Sequence, residues 1–266
     1  MSDELLTARG LSYVIDDAQL VDGVDVQVSG GELVAVLGPN GAGKSTLLSL
    51  LSGDLIPTDG SVHYSDTPAA TLGDAERAVR RAVFSQRAPI DVPFTARSVV
   101  SLGRYPHRHD DSITPDEDQA LVDSAMETTD TRHLANRTYS TLSGGERTRV
   151  AIARVLAQNT PIILLDEPTT ALDVYHQERI LQILRTTADK GRAVVVVLHD
   201  LNSAVMYADR LVVMSDAKVL TQGHVEDVLD ASLLTEVYGL PMAVVDHPLK
   251  NGKIVLVAED QADRAK

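Results

Sequence analysis

Apolar positions along the chain follow two periods, and the switches between them outline the fold. Leu11-Ser12-Tyr13-Val14 and Val24-Asp25-Val26-Gln27-Val28 alternate, as half-buried strands do. Leu33-Val34-Ala35-Val36-Leu37 is apolar throughout, the mark of a strand covered on both faces. Asp22-Gly23 and Gly30-Gly31 are read as the turns between these runs. A helix is expected from Ser45, a β-like stretch over 60–64, and a charged helix over 74–82 that runs into Val83-Phe84-Ser85-Gln86. The section from about 95 to 140 has helical periodicity, many polar residues, and breaks at Pro106 and Pro115. With the helix that follows, it reads as a helical subdomain over about 95–158, inserted into an α/β core.

Beyond residue 145 strands and helices alternate. A helix over 146–158 precedes Ile162-Ile163-Leu164-Leu165; a helix over 174–189 precedes Ala193-Val194-Val195-Val196-Val197-Leu198. That alternation predicts a parallel sheet with helices on both faces. Asn251-Gly252 between two β-prone runs predicts a small hairpin over about 243–257, and the polar residues from Ala258 onward are expected to fray. Neither an internal repeat nor a low-complexity segment interrupts the pattern, so 1–266 reads as a single domain.

The first chemistry stands where the all-apolar strand ends. Gly38-Pro39-Asn40-Gly41-Ala42-Gly43-Lys44-Ser45-Thr46 fits G-x-x-x-x-G-K-[ST], with the required strand before and helix after. Glycines let backbone N–H groups curl round phosphate oxygens, and the helix start aims its positive dipole end at them. Lys44 is expected to reach the β- and γ-phosphates of ATP, and Ser45 to ligate Mg²⁺. The second chemistry closes another apolar strand: Ile162-Ile163-Leu164-Leu165-Asp166-Glu167. Ligands of open parallel sheets lie at the C-terminal strand ends, so both acids should meet the nucleotide. Asp166 suits Mg²⁺; Glu167, pointing elsewhere because strand side chains alternate, suits the general base for the attacking water.

Composition narrows the setting. The 266 residues are 44% hydrophobic and 23% charged, with no apolar run near the roughly 20 residues that span a bilayer. A membrane role would therefore need a partner. The start Met1-Ser2-Asp3-Glu4 predicts no secretory signal. With no cysteine there is no disulfide, thiolate metal site or cysteine nucleophile. A net charge of −14 disfavours nucleic acid or anionic lipid as the main ligand, yet leaves room for a local phosphate site.

Leu142-Ser143-Gly144-Gly145-Glu146 sharpens the reading, because Ser-Gly-Gly capping a helix offers a second anion site. One nucleotide has no need of two cradles in one protomer; two copies facing head to tail would give each cradle the partner's γ-phosphate. The run resembles the signature motif of ABC ATPases, and the resemblance covers nearly the whole chain. It implies a P-loop NTPase core with a parallel sheet, an antiparallel β subdomain and an inserted helical subdomain.

It also implies roles. Tyr13 would stack on adenine, and Gln86 would be the Q-loop glutamine sensing Mg²⁺ and the permease. Ser143, Gly144 and Gly145 would form the signature, Asp173 of Ala171-Leu172-Asp173 the D-loop, and His199 the switch histidine at the γ-phosphate. The implied partners are a second copy, an integral-membrane permease dimer and, indirectly, a substrate-binding protein, at the cytoplasmic face of the membrane. Thr148 departs from the glutamine many relatives carry.

The run from Phe94 to His107, with Glu167-Pro168-Thr169-Thr170-Ala171-Leu172-Asp173 and His199-Asp200-Leu201-Asn202-Ser203-Ala204, is similar to type II importer ATPases, which serve iron-siderophores, haem or cobalamin. Arg80-Arg81-Ala82-Val83-Phe84-Ser85-Gln86 with Pro93-Phe94 looks most like the haem-importer group, with siderophore the runner-up. His107 and His109 invite a reading as haem ligands, but a charged loop after proline reads first as solvated surface. Two other classes stay open: a soluble ABC ATPase acting on DNA, translation or cofactor assembly, and a nucleotide-gated regulatory module without turnover.

Overall fold

A computed structural model of the protein describes residues 4–85, 93–108, 110, 112–249 and 252–258. In chain order the first half comprises β1 (Glu4–Ile15), β2 (Ala18–Ser29), β3 (Leu33–Leu37), α1 (Lys44–Leu51), β4 (Asp59–Tyr64), β5 (Thr67–Pro68), α2 (Asp74–Ala78) and β6 (Arg81–Phe84). The helical stretch comprises α3 (Ala96–Ser101), a 3-10 segment (Leu102–His107), α4 (Pro115–Thr128) and α5 (Gly144–Gln158). Then come β7 (Ile162–Asp166), α6 (Val174–Asp189), β8 (Ala193–Val197), α7 (Leu201–Tyr207), β9 (Arg210–Ser215) and β10 (Lys218–His224). The chain closes with α8 (Val225–Val228), α9 (Ala231–Tyr238), β11 (Met242–Asp246) and β12 (Lys253–Val257).

Among the described residues there are three sheets. The central one has the order β10-β9-β3-β8-β7-β6, parallel from β9 to β6 and antiparallel only at β10. A four-stranded antiparallel sheet has the order β2-β1-β4-β5, and β11 pairs with β12.

Strand periodicity divides the central strands between two cores. Val34, Val36, Ile162, Leu164, Val195 and Val197 join α1 and the antiparallel sheet in one cluster. Their neighbours Leu33, Ala35, Ile163, Leu165, Val194 and Val196 join α5, α6 and α7 in the other. Successive side chains point to opposite faces, so a strand sandwiched between two apolar layers must be apolar at every position. A third cluster unites Ala96, Val99 and Val100 with Val122, Met126, Leu134 and Val150, packing α3, α4 and α5 on one another.

Several expectations need correction. Asp22-Gly23 is no turn but lies inside β2, where Gly23 has φ 60 and the pairing with β1 shifts register nearby. The chain reverses instead at Asp16 and Asp17, with φ 47 and 66, a two-residue hairpin turn that aspartate tolerates. The charged helix stops at Ala78 rather than 82, because Arg81–Phe84 pairs with β7 as a sheet edge.

Pro115 starts α4 rather than breaking a helix: it occupies the first turn behind a Thr114 capping box, where its missing N–H costs nothing. Pro106 sits inside the 3-10 segment. His107 is no solvated loop residue, since its Nε2 lies 2.8 Å from the Gln158 carbonyl. Buried Arg104 donates to the Ala157 and Gln158 carbonyls at 2.9 and 3.0 Å and pairs with Asp118 at 2.7 Å. Both residues thus satisfy the open carbonyl end of α5, where cations are favoured. His109, Asn251 and the residues after Ala258 lie outside the described residues.

Candidate active site

Three neighbouring strands deliver the site. β3, β8 and β7 lie side by side and parallel, with Val36 opposite Val197 and Asp166 opposite Val197. Their C-terminal ends lead respectively into the 38–46 turn, His199 and Glu167, so one sheet edge gathers all three.

The turn is a cradle closed round a lysine. Lys44, 6% exposed, donates from Nζ to the carbonyls of Gly38 and Pro39, both at 2.8 Å. Burial pulls its pKa down, partly offset by the negative charges of Glu167 and Asp166. Gly43 caps α1 without any side-chain bond, so N–H groups at the start of α1 remain for an anion. Asn40 and Gly41 are exposed, Ala42 is buried, and Thr46 is half-buried in the first turn of α1.

Gly43 has φ 95, and a Cβ there would stand 2.2 Å from the Leu20 carbonyl; Gly41 has φ 84 and open space around it. Gly41→Ala is therefore expected to cost only backbone strain, about 1 kcal/mol, in unfolding free energy. Gly43→Ala should cost about 3 kcal/mol or more, because β2 must also move. Denaturant titration of both variants checks the order. The same Leu20 contact sets β2 against the turn, and Tyr13 pairs with Val21, the next residue. Half-buried Tyr13 packs on the first core cluster.

Ser45 Oγ donates to Asp166 Oδ1 at 3.1 Å, joining the helix start to the end of β7. A hydroxyl beside a carboxylate is the hard-oxygen set Mg²⁺ takes when phosphate and water complete its shell. Among the described residues no cluster of three or more His, Cys, Asp or Glu could hold a metal by itself.

Glu167 stands beside Asp166 but outside the strand, with φ 51 and its N–H donating to the Val197 carbonyl at 3.2 Å. A left-handed backbone at a non-glycine residue is a cost that surrounding structure must hold in place. Its effect is to part the two acids by a backbone twist rather than by strand alternation. Glu167 Oε1 lies 2.6 Å from His199 Nε2, and Thr170 Oγ1 donates to Oε2 at 3.3 Å. The arrangement supplies a carboxylate able to take a proton from water, held by an imidazole from the next strand.

The Ser-Gly-Gly run caps α5 as expected. Ser143 Oγ accepts from the Glu146 N–H at 3.2 Å, and Glu146 Oε2 accepts from the Ser143 N–H at 2.7 Å. That backbone bond, more than the Arg137 guanidinium at 2.9 Å, holds the Glu146 carboxyl below the usual range. Ser143 and Gly144 are exposed. A Cβ on Gly145 would stand 3.3 Å from the Ala171 carbonyl, so the cap and the D-loop candidate touch within one chain. Asp173 caps α6, accepting from the His176 N–H at 2.9 Å and lying 2.8 Å from its Nδ1; both lower its pKa. Gln86 lies outside the described residues.

Sequence reasoning missed the supports. Gln177 Nε2 donates to the Thr169 and Leu172 carbonyls at 3.1 Å each, pinning the turn after Glu167. The Tyr238 hydroxyl, pushed up to about 12 by burial, meets the Gly38 backbone from α9. Neither carries a motif; each is visible only when distant segments meet.

Comparison with known proteins gives the family. Residues 21–170 match the family model described as ABC transporter. The chain is 46% identical over 258 residues to the hemin import ATP-binding protein HmuV of Rhodococcus jostii, covering 96% of this chain and 87% of that one. Identity to HmuV of Nocardia farcinica is 49% over 240 residues, covering 90% and 82%. A dimeric, post-hydrolysis structure of the ATP-binding cassette MJ0796 with ADP and Pi superposes with a TM-score of 0.74 at 30% identity, covering 83% of this chain and 98% of that one. The chain belongs to the ABC transporter family, and its core is that of an ABC ATPase.

Proposed function

We propose that the chain is the ATP-hydrolysing subunit of an importer that takes up haem through a partner permease. The observation that carries hydrolysis is the convergence of Lys44, Ser45, Asp166, Glu167 and His199 at one sheet edge, with Glu167 and His199 at 2.6 Å. Haem as cargo is supported by the names of relatives 46–49% identical across nine-tenths or more of this chain. Within the site, Lys44 and the start of α1 hold the phosphates, Tyr13 the adenine side, and Ser45 with Asp166 the Mg²⁺. Bound Mg²⁺ would neutralise charge on the β- and γ-phosphates. Glu167 takes a proton from water as its oxygen bonds to the γ-phosphorus and the bond to ADP breaks; His199 keeps Glu167 in place. Gln86 is assigned to the coupling of this site with the permease.

Two copies act together, each nucleotide held between one 38–46 turn and the partner's Ser143-Gly144-Gly145 cap, with Asp173 at the junction. The whole chain serves as one ATPase domain, the helical part over about 95–158 facing the permease at the inner membrane surface. Among the described residues no helix is long and apolar enough to cross a membrane. A substrate-binding protein would deliver cargo on the far side.

Ser143→Arg tests the pairing. An arginine at this exposed cap should leave ATP binding by the single chain intact while abolishing nucleotide-dependent dimers in sedimentation and phosphate release. Normal hydrolysis in this variant would overturn the paired arrangement. Uptake by vesicles carrying the chain with its permease and binding protein tests the cargo: ATP-dependent accumulation of haem is expected, and transport of a ferric siderophore alone would overturn it.

A further inference from the structure

His199 stands at a junction that needs outside support. It follows Leu198, just past the end of β8, whose N–H donates to the Val36 carbonyl at 3.2 Å, and only Asp200 separates it from the Leu201 start of α7. α7 has seven residues, too few to hold its shape unaided. Its cap, Asp200, accepts from the N–H groups of Asn202 and Ser203 at 3.2 and 3.0 Å. Whatever fixes the first turn of α7 therefore fixes one side of the imidazole.

Asn202 lies in that turn, and its side chain meets the C-terminal hairpin. Its Nδ2 donates to the Val255 carbonyl at 3.0 Å, and its Oδ1 accepts from the Val255 N–H at 2.8 Å. Val255 is buried in β12 and already pairs with Val244 of β11 on the other side. A side-chain amide presents an N–H and a C=O side by side in one plane, as a neighbouring strand's backbone does. Asn202 thus stands in for a strand neighbour on the outer edge of β12.

The far end of α7 is tied as well, the Tyr207 hydroxyl donating to Glu178 of α6. The hairpin is tied in turn to α9, where the Met242 N–H donates to Thr235 Oγ1 at 2.9 Å. A catalytic pair 2.6 Å apart is sensitive to this framing, because misplacement by about 1 Å can cost on the order of 10²-fold in rate.

We propose that Asn202 is a positioning residue for His199: its amide anchors the first turn of α7 to the C-terminal hairpin and so fixes the backbone presenting the imidazole to Glu167. The catalytic meaning of this link rests on the reading of Glu167 and His199 as the hydrolytic pair. A residue that merely stabilised the hairpin would leave His199 untouched.

The test uses the full chain, ¹⁵N-labelled at histidine and at backbone amides, without nucleotide. In Asn202→Ala, exchange of the Val255 amide should accelerate by about tenfold, the loss of its one hydrogen bond to the Asn202 oxygen. The His199 imidazole resonances should shift or broaden toward those of Glu167→Ala, which removes the 2.6 Å contact, while those of His63 on β4 stay fixed. Asn202→Asp, which keeps the acceptor but turns an oxygen on the Val255 carbonyl, should fall between. In phosphate release, kcat should drop by about tenfold with KM changed less than twofold.

Faster Val255 exchange with an unmoved His199 overturns the proposal, and so does unchanged Val255 exchange. The parent reading fails separately: His199→Ala would then release phosphate at the wild-type rate, while the Asn202→Ala shifts at His199 persist.

Discussion

Replacing Glu167 by Gln is expected to slow ATP hydrolysis by roughly a thousandfold, in the middle of the 10²–10⁴ range for a general base. Gln is the discriminating choice because it preserves size and its one carbonyl oxygen can still accept from His199, which stands 2.6 Å from Oε1, while its NH2 replaces the oxygen that Thr170 reaches at 3.3 Å. What it removes is basicity. The left-handed backbone at φ 51 bears Gln as it bears Glu, so unfolding free energy should change by less than about 0.5 kcal/mol. Affinity for ATP should stay within about threefold, since Lys44, Ser45 and Asp166 are untouched. With binding intact and turnover stopped, the ATP-bound pair of subunits should accumulate, seen by sedimentation and by ATP retained through gel filtration. A variant that hydrolyses normally and stays monomeric would remove Glu167 from the chemistry.

The sequence carried most of this site because its chemistry is local. A glycine turn between a strand and a helix, two acids ending an apolar strand, and a serine capping a helix each declare themselves within a few residues. The helix Val174–Asp189 was placed to the residue because Asp173 marks its start with a cap.

What stayed hidden depends on contacts distant in sequence. Asp22-Gly23 has turn composition, yet β1 and β2 run on past it because the antiparallel pairing absorbs a bulge. β10, α7 and α9 were not foreseen. β10 has half-buried and exposed residues in alternation and takes its place from β9 beside it. The separation of Asp166 from Glu167 was foreseen and its cause was not: a φ of 51 cannot be read from composition. Asn202 and Tyr238 act across 53 and 200 positions respectively, and no spacing rule reaches so far.

Lys44→Ala should remove ATP binding while sparing the fold, and the two effects part for a physical reason. In the free chain the ammonium is held by two carbonyl oxygens, those of Gly38 and Pro39, each 2.8 Å away. Bound phosphate oxygens would offer it stronger, charge-assisted partners. Without the lysine the cradle keeps the negative charges of Asp166 and Glu167 and loses the cation that offsets them. Two charge-assisted bonds at about 1.5–3 kcal/mol each predict an affinity loss of at least about 10²-fold. Isothermal titration with Mg-ATP measures it.

Folding responds differently, because burial makes the ammonium costly. The folded chain binds the Lys44 proton less tightly than the unfolded chain, whose value is near 10.5. As pH rises through the window from the lowered folded value to 10.5, the unfolded state still holds a proton the folded state has released. Wild-type stability therefore gains with pH in that window, and Lys44→Ala should lack that gain. At neutral pH its unfolding free energy should stay within about 1 kcal/mol of wild type, the lost bonds offset by relief of the buried charge. Unchanged affinity for Mg-ATP in Lys44→Ala would mean that the nucleotide is held somewhere other than the 38–46 turn.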